Sequence, residues 1–229
     1  MEHPILFLVS LFDAIGLGHF AHQCPHVIYS WFVMLFLIVC GFLATKGISM
    51  VPTKWQNVFE VVIGGLEDFT VDITGEDGRR FFPILATVFI YIFVQNLIGL
   101  MPGLLPPTAN LNTNLSMALV VFIMTHVIGV MTHGPKYIKQ FTGPIWWLAP
   151  LLLVLETIGH LARIMSLSIR LFGNMMGKEL VLLILFVLAG AYFAPFPMLV
   201  LGLLVCFIQA FVFYLLSTMY FTLALEEAH

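Results

Sequence analysis

The segment Leu151-Leu-Leu-Val-Leu-Glu-Thr-Ile-Gly-His160-Leu-Ala-Arg-Ile-Met-Ser-Leu-Ser-Ile-Arg170-Leu-Phe-Gly-Asn-Met-Met-Gly-Lys-Glu-Leu180-Val-Leu-Leu-Ile-Leu-Phe-Val-Leu-Ala-Gly190 governs how the rest of the chain is read. It is mostly apolar, yet it contains Glu156, His160, Arg163, Arg170, Lys178 and Glu179. As one helix at 1.5 Å per residue it would reach roughly 60 Å. That is about twice the ~30 Å hydrocarbon core of a bilayer. Either it breaks into two pieces, or it lies strongly tilted against a protein partner. Arg170 is its strongest local signal, because an arginine at the centre of a membrane helix costs roughly 2.5–3.5 kcal/mol on insertion scales.

Outward from this segment the chain divides into further spans. Pro195 and Pro197 form a tight connection to the uncharged run Met198–Leu225, so 151–190 and 198–225 are expected as a long, tilted helical hairpin. Upstream, Val27–Ala44, Phe81–Met101 and Leu115–Met131 are uncharged and long enough to cross. They predict upright spans at 27–45, 81–101 and 115–133, with residues 1–26 as an outer tail of a single transmembrane domain over 1–229. Composition agrees: of 229 residues 61% are hydrophobic and 9% charged, against about 25% charged in a soluble domain. Nine Lys and Arg and a net charge of −3 offer no basic surface for nucleic acid. Cys24, Cys40 and Cys206 are far apart and form no metal or disulfide pattern. The period-two alternation of a membrane barrel is missing. The fold class is all-α, a polytopic membrane protein with five crossings in the lipid bilayer.

Positive charge orients the bundle. Lys54, Arg79 and Arg80, with Lys46 at the edge, lie in the 47–80 connection, and Lys136 and Lys139 in the 134–144 connection. The alternate loops carry no Lys or Arg. The positive-inside rule places the N-terminus outside and the C-terminus in the cytoplasm. The absence of a signal peptide and the short loops suit a bacterial cell inner membrane. Glu60 to Asp77 suits an amphipathic or irregular cytoplasmic segment.

Several polar residues stand in apolar surroundings. Ser166 and Asn174 flank Arg170 one turn either side, whereas Glu179 is nine residues on, half a turn around and roughly 13 Å along. The arginine and the glutamate therefore serve different environments. No carboxylate lies three or four residues from Arg170, so a carboxylate on another chain would satisfy it better than a local ion pair. Arg163 pairs either with Glu156 or with a lipid headgroup, and Lys178 is expected to snorkel to the interface. Gln209, an amide in an apolar run, is either interhelical glue or the lining of an aqueous path opposite Arg170 and Asn174. Asn96 with Asn110 and Asn112 forms an acid-free polar patch, either a capped loop or the hydrated mouth of a path toward Glu179. His3, His19, His22, Cys24 and His26 have the numbers but not the spacing of a metal site, and a hydrated tail is expected there.

These residues carry a resemblance. Ser166-Leu-Ser-Ile-Arg170-Leu-Phe-Gly-Asn-Met175, followed by Gly-Lys-Glu179, resembles the signature of the a-subunit family of F-type ATP synthases. Gln95-Asn-Leu-Ile-Gly-Leu-Met-Pro102, Pro107-Thr-Ala-Asn-Leu-Asn-Thr-Asn-Leu-Ser116, Ile208-Gln-Ala-Phe-Val-Phe-Tyr-Leu-Leu-Ser217 and the closing Leu-Glu-Glu-Ala-His229 agree with it. The resemblance covers roughly residues 50 to 229. It implies a stator of the membrane Fo sector, with the c-ring and the subunit b peripheral stalk as partners and no cofactor or metal. It implies that Arg170 faces the ring carboxylate, favours its deprotonated form and blocks leakage between two aqueous half-channels. Glu179, Asn174 and Gln209 would line those half-channels, with Glu156, Ser166, Asn110, Asn112 and Asn96 as further members of the proton path. One departure stands out: some family members place a His or a carboxylate seven residues before the glutamine, where this chain has Gly202. Glu179 would then relay through water or through His160.

Such a subunit is not catalytic alone but couples ion flow to rotation and ATP synthesis. The competing reading is a proton-coupled secondary transporter, which usually shows internal repeats; none is found here. A membrane-embedded enzyme would need a nucleophile or metal cluster within the spans, and ranks last.

Overall fold

The computed structural model describes residues 23–46, 54–101, 104–134, 149–189 and 195–225. Among them the chain is helical throughout: α1 (Pro25–Thr45), α2 (Lys54–Thr74), α3 (Phe82–Ile98), α4 (Leu111–His133), α5 (Ala149–Ala189) and α6 (Pro195–Leu225). Short 3-10 helices at Glu76–Phe81 and Pro107–Ala109 precede α3 and α4. Five helices are long and apolar enough to cross a membrane, namely Pro25–Thr45, Glu76–Ile98, Leu111–His133, Pro150–Leu185 and Phe196–Leu225.

The long charged segment does not break. α5 runs through all 41 residues from Ala149 to Ala189, so a length of roughly 60 Å must be accommodated by tilt. Its wetter residues do not stay on one line. Successive heptad positions drift about 20° in a straight helix, and the row Glu156, Arg163, Arg170, Gly177 accordingly passes from half-buried at its start to exposed at its end.

α6 is the centre of the bundle and packs against α2, α3, α4 and α5. It is largely apolar, burying one side among these helices while Leu201, Leu204 and Ile208 stay exposed on the other, a face suited to lipid. Cys206, Ala210, Phe213, Tyr214, Phe221 and Ala224 are buried together with Leu85, Phe89 and Ile92 of α3 and Leu171 and Met175 of α5. Ser217 and Thr218 return their hydroxyls to their own helix, donating to Phe213 O at 2.8 Å and Tyr214 O at 2.9 Å. This removes the penalty of burying an unpaired hydroxyl. By contrast α1 leaves Trp31, Leu35, Ile38 and Phe42 bare, a face suited to lipid.

The segment expected to be amphipathic or irregular is helix α2. Tyr214 pins it by donating to Leu66 O at 2.7 Å and meeting the Thr70 hydroxyl. Gly75 ends it with φ 73°, a left-handed conformation that favours glycine, and turns the chain into α3. Arg79 folds back onto Glu67 at 2.7 Å.

Candidate functional site

Arg170 stands near the middle of α5 on its exposed side. Its guanidinium donates to Ser166 Oγ at 3.2 Å, one turn back. Among the described residues no carboxylate pairs with it. Ser166, Gly173, Asn174 and Gly177 share the exposed surface around it, with Ile169 exposed alongside, so small residues occupy the turns directly above and below the arginine. On its inward flank a narrow cleft joins Arg170 and Leu171 to Gln209 and Phe213 of α6. The structure thus brings Gln209 opposite Arg170 across the hairpin.

Toward Ala189 the polar residues form a connected chain. Asn114 donates to Thr108 O at 2.7 Å, and Thr108 Oγ1 donates to Asn96 Oδ1 at 2.7 Å. Asn96 donates to Cys206 O at 3.4 Å, and the Cys206 thiol donates to Asn96 O at 3.2 Å. Lys178 Nζ then donates to Cys206 Sγ at 3.4 Å. Asn96, Thr108 and Asn114 are fully buried. The asparagine patch therefore connects inward to α5, and Lys178 is the residue it reaches.

Lys178 does not snorkel. It is 5% exposed, and its alkyl chain runs over Gly202, where an added Cβ would come within 3.3 Å of Lys178 Cδ and 2.8 Å of Leu100 Cδ2. A cavity of about 250 Å³ opens beside it, lined by Gly173, Asn174, Gly177, Lys178, Gly202 and Val205 among others. Lys178 thus occupies the space that the short residue at 202 leaves free. Glu179 follows it, half-buried. His160 is not its partner: 19 residues along one unbroken helix separate them by about 28 Å.

Toward Ala149, Glu156 Oε1 lies 3.4 Å from His160 Nε2. The His160 and His126 rings are 4.8 Å apart, joining α5 to α4. Arg163 stacks over the Tyr220 ring at 5.4 Å rather than pairing with Glu156. Glu156 is thus about 21 Å from Arg170 along the helix, on the opposite side from Glu179.

Asn110 caps α4, accepting from the Asn112 amide at 2.9 Å, while its side-chain nitrogen meets His26 Nδ1 at 3.3 Å. Asn112 itself is exposed on the first turn. Neither side chain is brought to Glu179. Of the tail residues with ligand chemistry, His3, His19 and His22 lie outside the described residues. Among the described residues no group of three metal-ligating side chains converges.

Three residues escaped the sequence reading. Cys206 looked like an isolated cysteine, Thr108 like a loop residue and Lys178 like an interfacial anchor. Only Lys178 carried a usable signal, because it is a lysine eight residues beyond the arginine, inside an otherwise apolar stretch.

Comparison with known proteins shows the family. Residues 27–222 match the family model described as ATP synthase A chain. The chain is 60% identical over 229 residues to ATP synthase subunit a of Desulfosudis oleivorans, covering all of both chains. It is 55% identical to that of Syntrophobacter fumaroxidans and 51% identical to that of Trichlorobacter lovleyi, again over the full length of each chain. A buried polar chain, an exposed central arginine and likeness over the whole length have one common explanation: the chain belongs to the ATP synthase A chain family.

Proposed function

We propose that the chain is the stator subunit of a rotary ATP synthase, carrying protons to and from ring carboxylates through two half-paths that Arg170 keeps apart. The observation that carries this reading is the position of Arg170. It is exposed on the bundle surface, held by Ser166, with no carboxylate paired to it among the described residues. Ionisable side chains stand on either side along α5: Lys178 and Glu179 beyond it, Glu156 and His160 before it. A cation in an apolar setting demands an opposite charge, and a carboxylate on the facing ring supplies one in every rotational step. That carboxylate cannot keep its proton while it passes the guanidinium, so a proton cannot cross directly.

The half-path on the side of Asn96, Thr108 and Asn114 opens outside and reaches Lys178, Asn174 and Glu179; Asn110 and Asn112 stand at its rim. The other opens to the cytoplasm beside Glu156. Gln209 lines the cleft next to Arg170. The same orientation puts the N-terminus outside and the C-terminus in the cytoplasm of a bacterial inner membrane. Subunit b of the peripheral stalk holds the bundle against rotation, and the bare faces of α1 and α4 contact lipid.

The test is ATP-driven and passive proton flux in vesicles carrying the whole complex, wild type against Arg170→Ala. Pumping should be lost while passive flux persists or rises. Unchanged coupled pumping would make Arg170 a structural charge and end the stator reading. Nothing in the bundle favours a transporter, since no internal repeat frames a substrate site.

A further inference from the structure

Beside Glu156 stand two imidazoles, His160 of α5 and His126 of α4, that the reading above leaves without a task. His160 sits 11 residues into α5 and 10 before Arg170, about 15 Å from it. Its Nε2 faces Glu156 Oε1 at 3.4 Å. From α4, His126 brings its ring within 4.8 Å, edge against face, and Phe122 closes on both imidazoles at 4.3 and 5.6 Å. Arg163, stacked on Tyr220 of α6, bounds the group on the Arg170 side. The Glu156 side chain is 43% exposed and that of His160 12%, so the carboxylate stands at the mouth and the imidazole behind it.

A cleft continues inward from this point. Thr125, His160, Arg163, Leu167 and Tyr220 line it, and Leu167 also lines the cleft that holds Arg170 and Gln209. The two clefts lie on either side of the Leu167 side chain. Two half-buried imidazoles between membrane helices cost free energy that a pair of leucines would not, so packing alone gives little reason for them. An imidazole can accept a proton on one ring nitrogen and release it from the other, which suits a position between a carboxylate and a cleft.

We propose that His160 and His126 are proton-transfer groups of the cytoplasmic half-path, passing protons between Glu156 and the cleft that ends at Leu167, across from the cleft of Arg170 and Gln209. The inference rests on the stator reading. In the pumping direction a proton leaves the Glu156 carboxyl for His160 Nε2, the imidazolium releases one from Nδ1 toward His126 or the cleft, and His160 returns to its starting charge. The facing charged and titratable groups are Glu156 and Arg163 on α5, His126 on α4 and Tyr220 on α6.

The experiment uses the intact ATP synthase in inverted vesicles, whose external pH is that of the cytoplasmic face. ATP-driven pumping per assembled complex is compared for wild type, His160→Gln, His126→Gln, the double variant and Arg170→Ala. Each single variant should lose about tenfold or more, the loss should deepen as external pH rises, and the double variant should be no worse than the poorer single one, as for groups in series. Wild-type pumping in both variants, or a drop equal at every pH, overturns the proposal. Should neither variant assemble, wild-type pumping that titrates with external pH supports it and a flat profile overturns it. Retained pumping in Arg170→Ala would instead sink the stator reading itself, so the two failures are distinguishable.

Discussion

Lys178 and Gly202 are complementary in shape: the alkyl chain of the lysine runs where a side chain at 202 would stand, and an added Cβ there would come within 3.3 Å of Lys178 Cδ. One residue supplies the polar group and the other supplies the room. The buried amine reaches the Cys206 thiol and, through Asn96 and Thr108, the face that carries Pro107–Ala109.

Lys178→Met tests what the amine does. Methionine keeps an unbranched chain over Gly202 and removes a buried amine whose partner is a weak thiol acceptor, so the substitution relieves a desolvation cost and leaves packing intact. The complex should assemble with thermal stability equal to or above wild type, while ATP-driven pumping falls severalfold. Full pumping by Lys178→Met would make the lysine a packing residue.

Gly202→Val should destabilise the α5–α6 contact by about 1–3 kcal/mol, the usual cost of overpacking. Combining it with Lys178→Ala should recover part of that loss, because one of the two colliding neighbours is gone and Leu100 can rotate away. Melting of the detergent-solubilised complex across the four-member cycle gives the coupling; strict additivity would mean that the two residues do not share the space.

Asn96→Ala removes the acceptor of Thr108 and the donor to Cys206 O. A buried hydroxyl left without its partner costs about 1–3 kcal/mol. The complex should lose stability by that amount and lose pumping with it, since the polar chain is cut at its middle. Reduced stability with full pumping would separate the chain from the path.

Tyr214→Phe addresses a bond outside the path. The phenol ties α6 to Leu66 and Thr70 of α2, and its loss should cost about 0.5–1.5 kcal/mol while pumping per assembled complex stays at the wild-type rate. A lowered melting temperature with normal flux is the expected pair of results.

Much of the molecule was legible beforehand, and for identifiable reasons. Runs such as Phe81–Met101 can only be helices in lipid, because every backbone group must be bonded within the segment. Arg170 announced itself by its cost in that setting. α5 was less legible: its length allowed a broken or a tilted helix, and the continuous form is favoured by Leu167, Leu171 and Met175, which bury one face without interruption. The polar chain was least legible, because it depends on contacts between distant segments. Cys206 and Asn96 are 110 residues apart, and no spacing rule connects them.

Composition and hydropathy by themselves determined an all-α membrane bundle with a charged hairpin, because the price of polar groups in hydrocarbon is set residue by residue. Which polar groups meet was decided only by the tertiary structure. Lys178 could have reached the interface, His160 could have served Glu179, and Arg163 could have paired with Glu156. The rotation of α5 against α4 and α6 turned Lys178 onto Gly202, His160 onto His126 and Arg163 onto Tyr220. Those choices depend on the fit of neighbouring helices, a property no single segment carries.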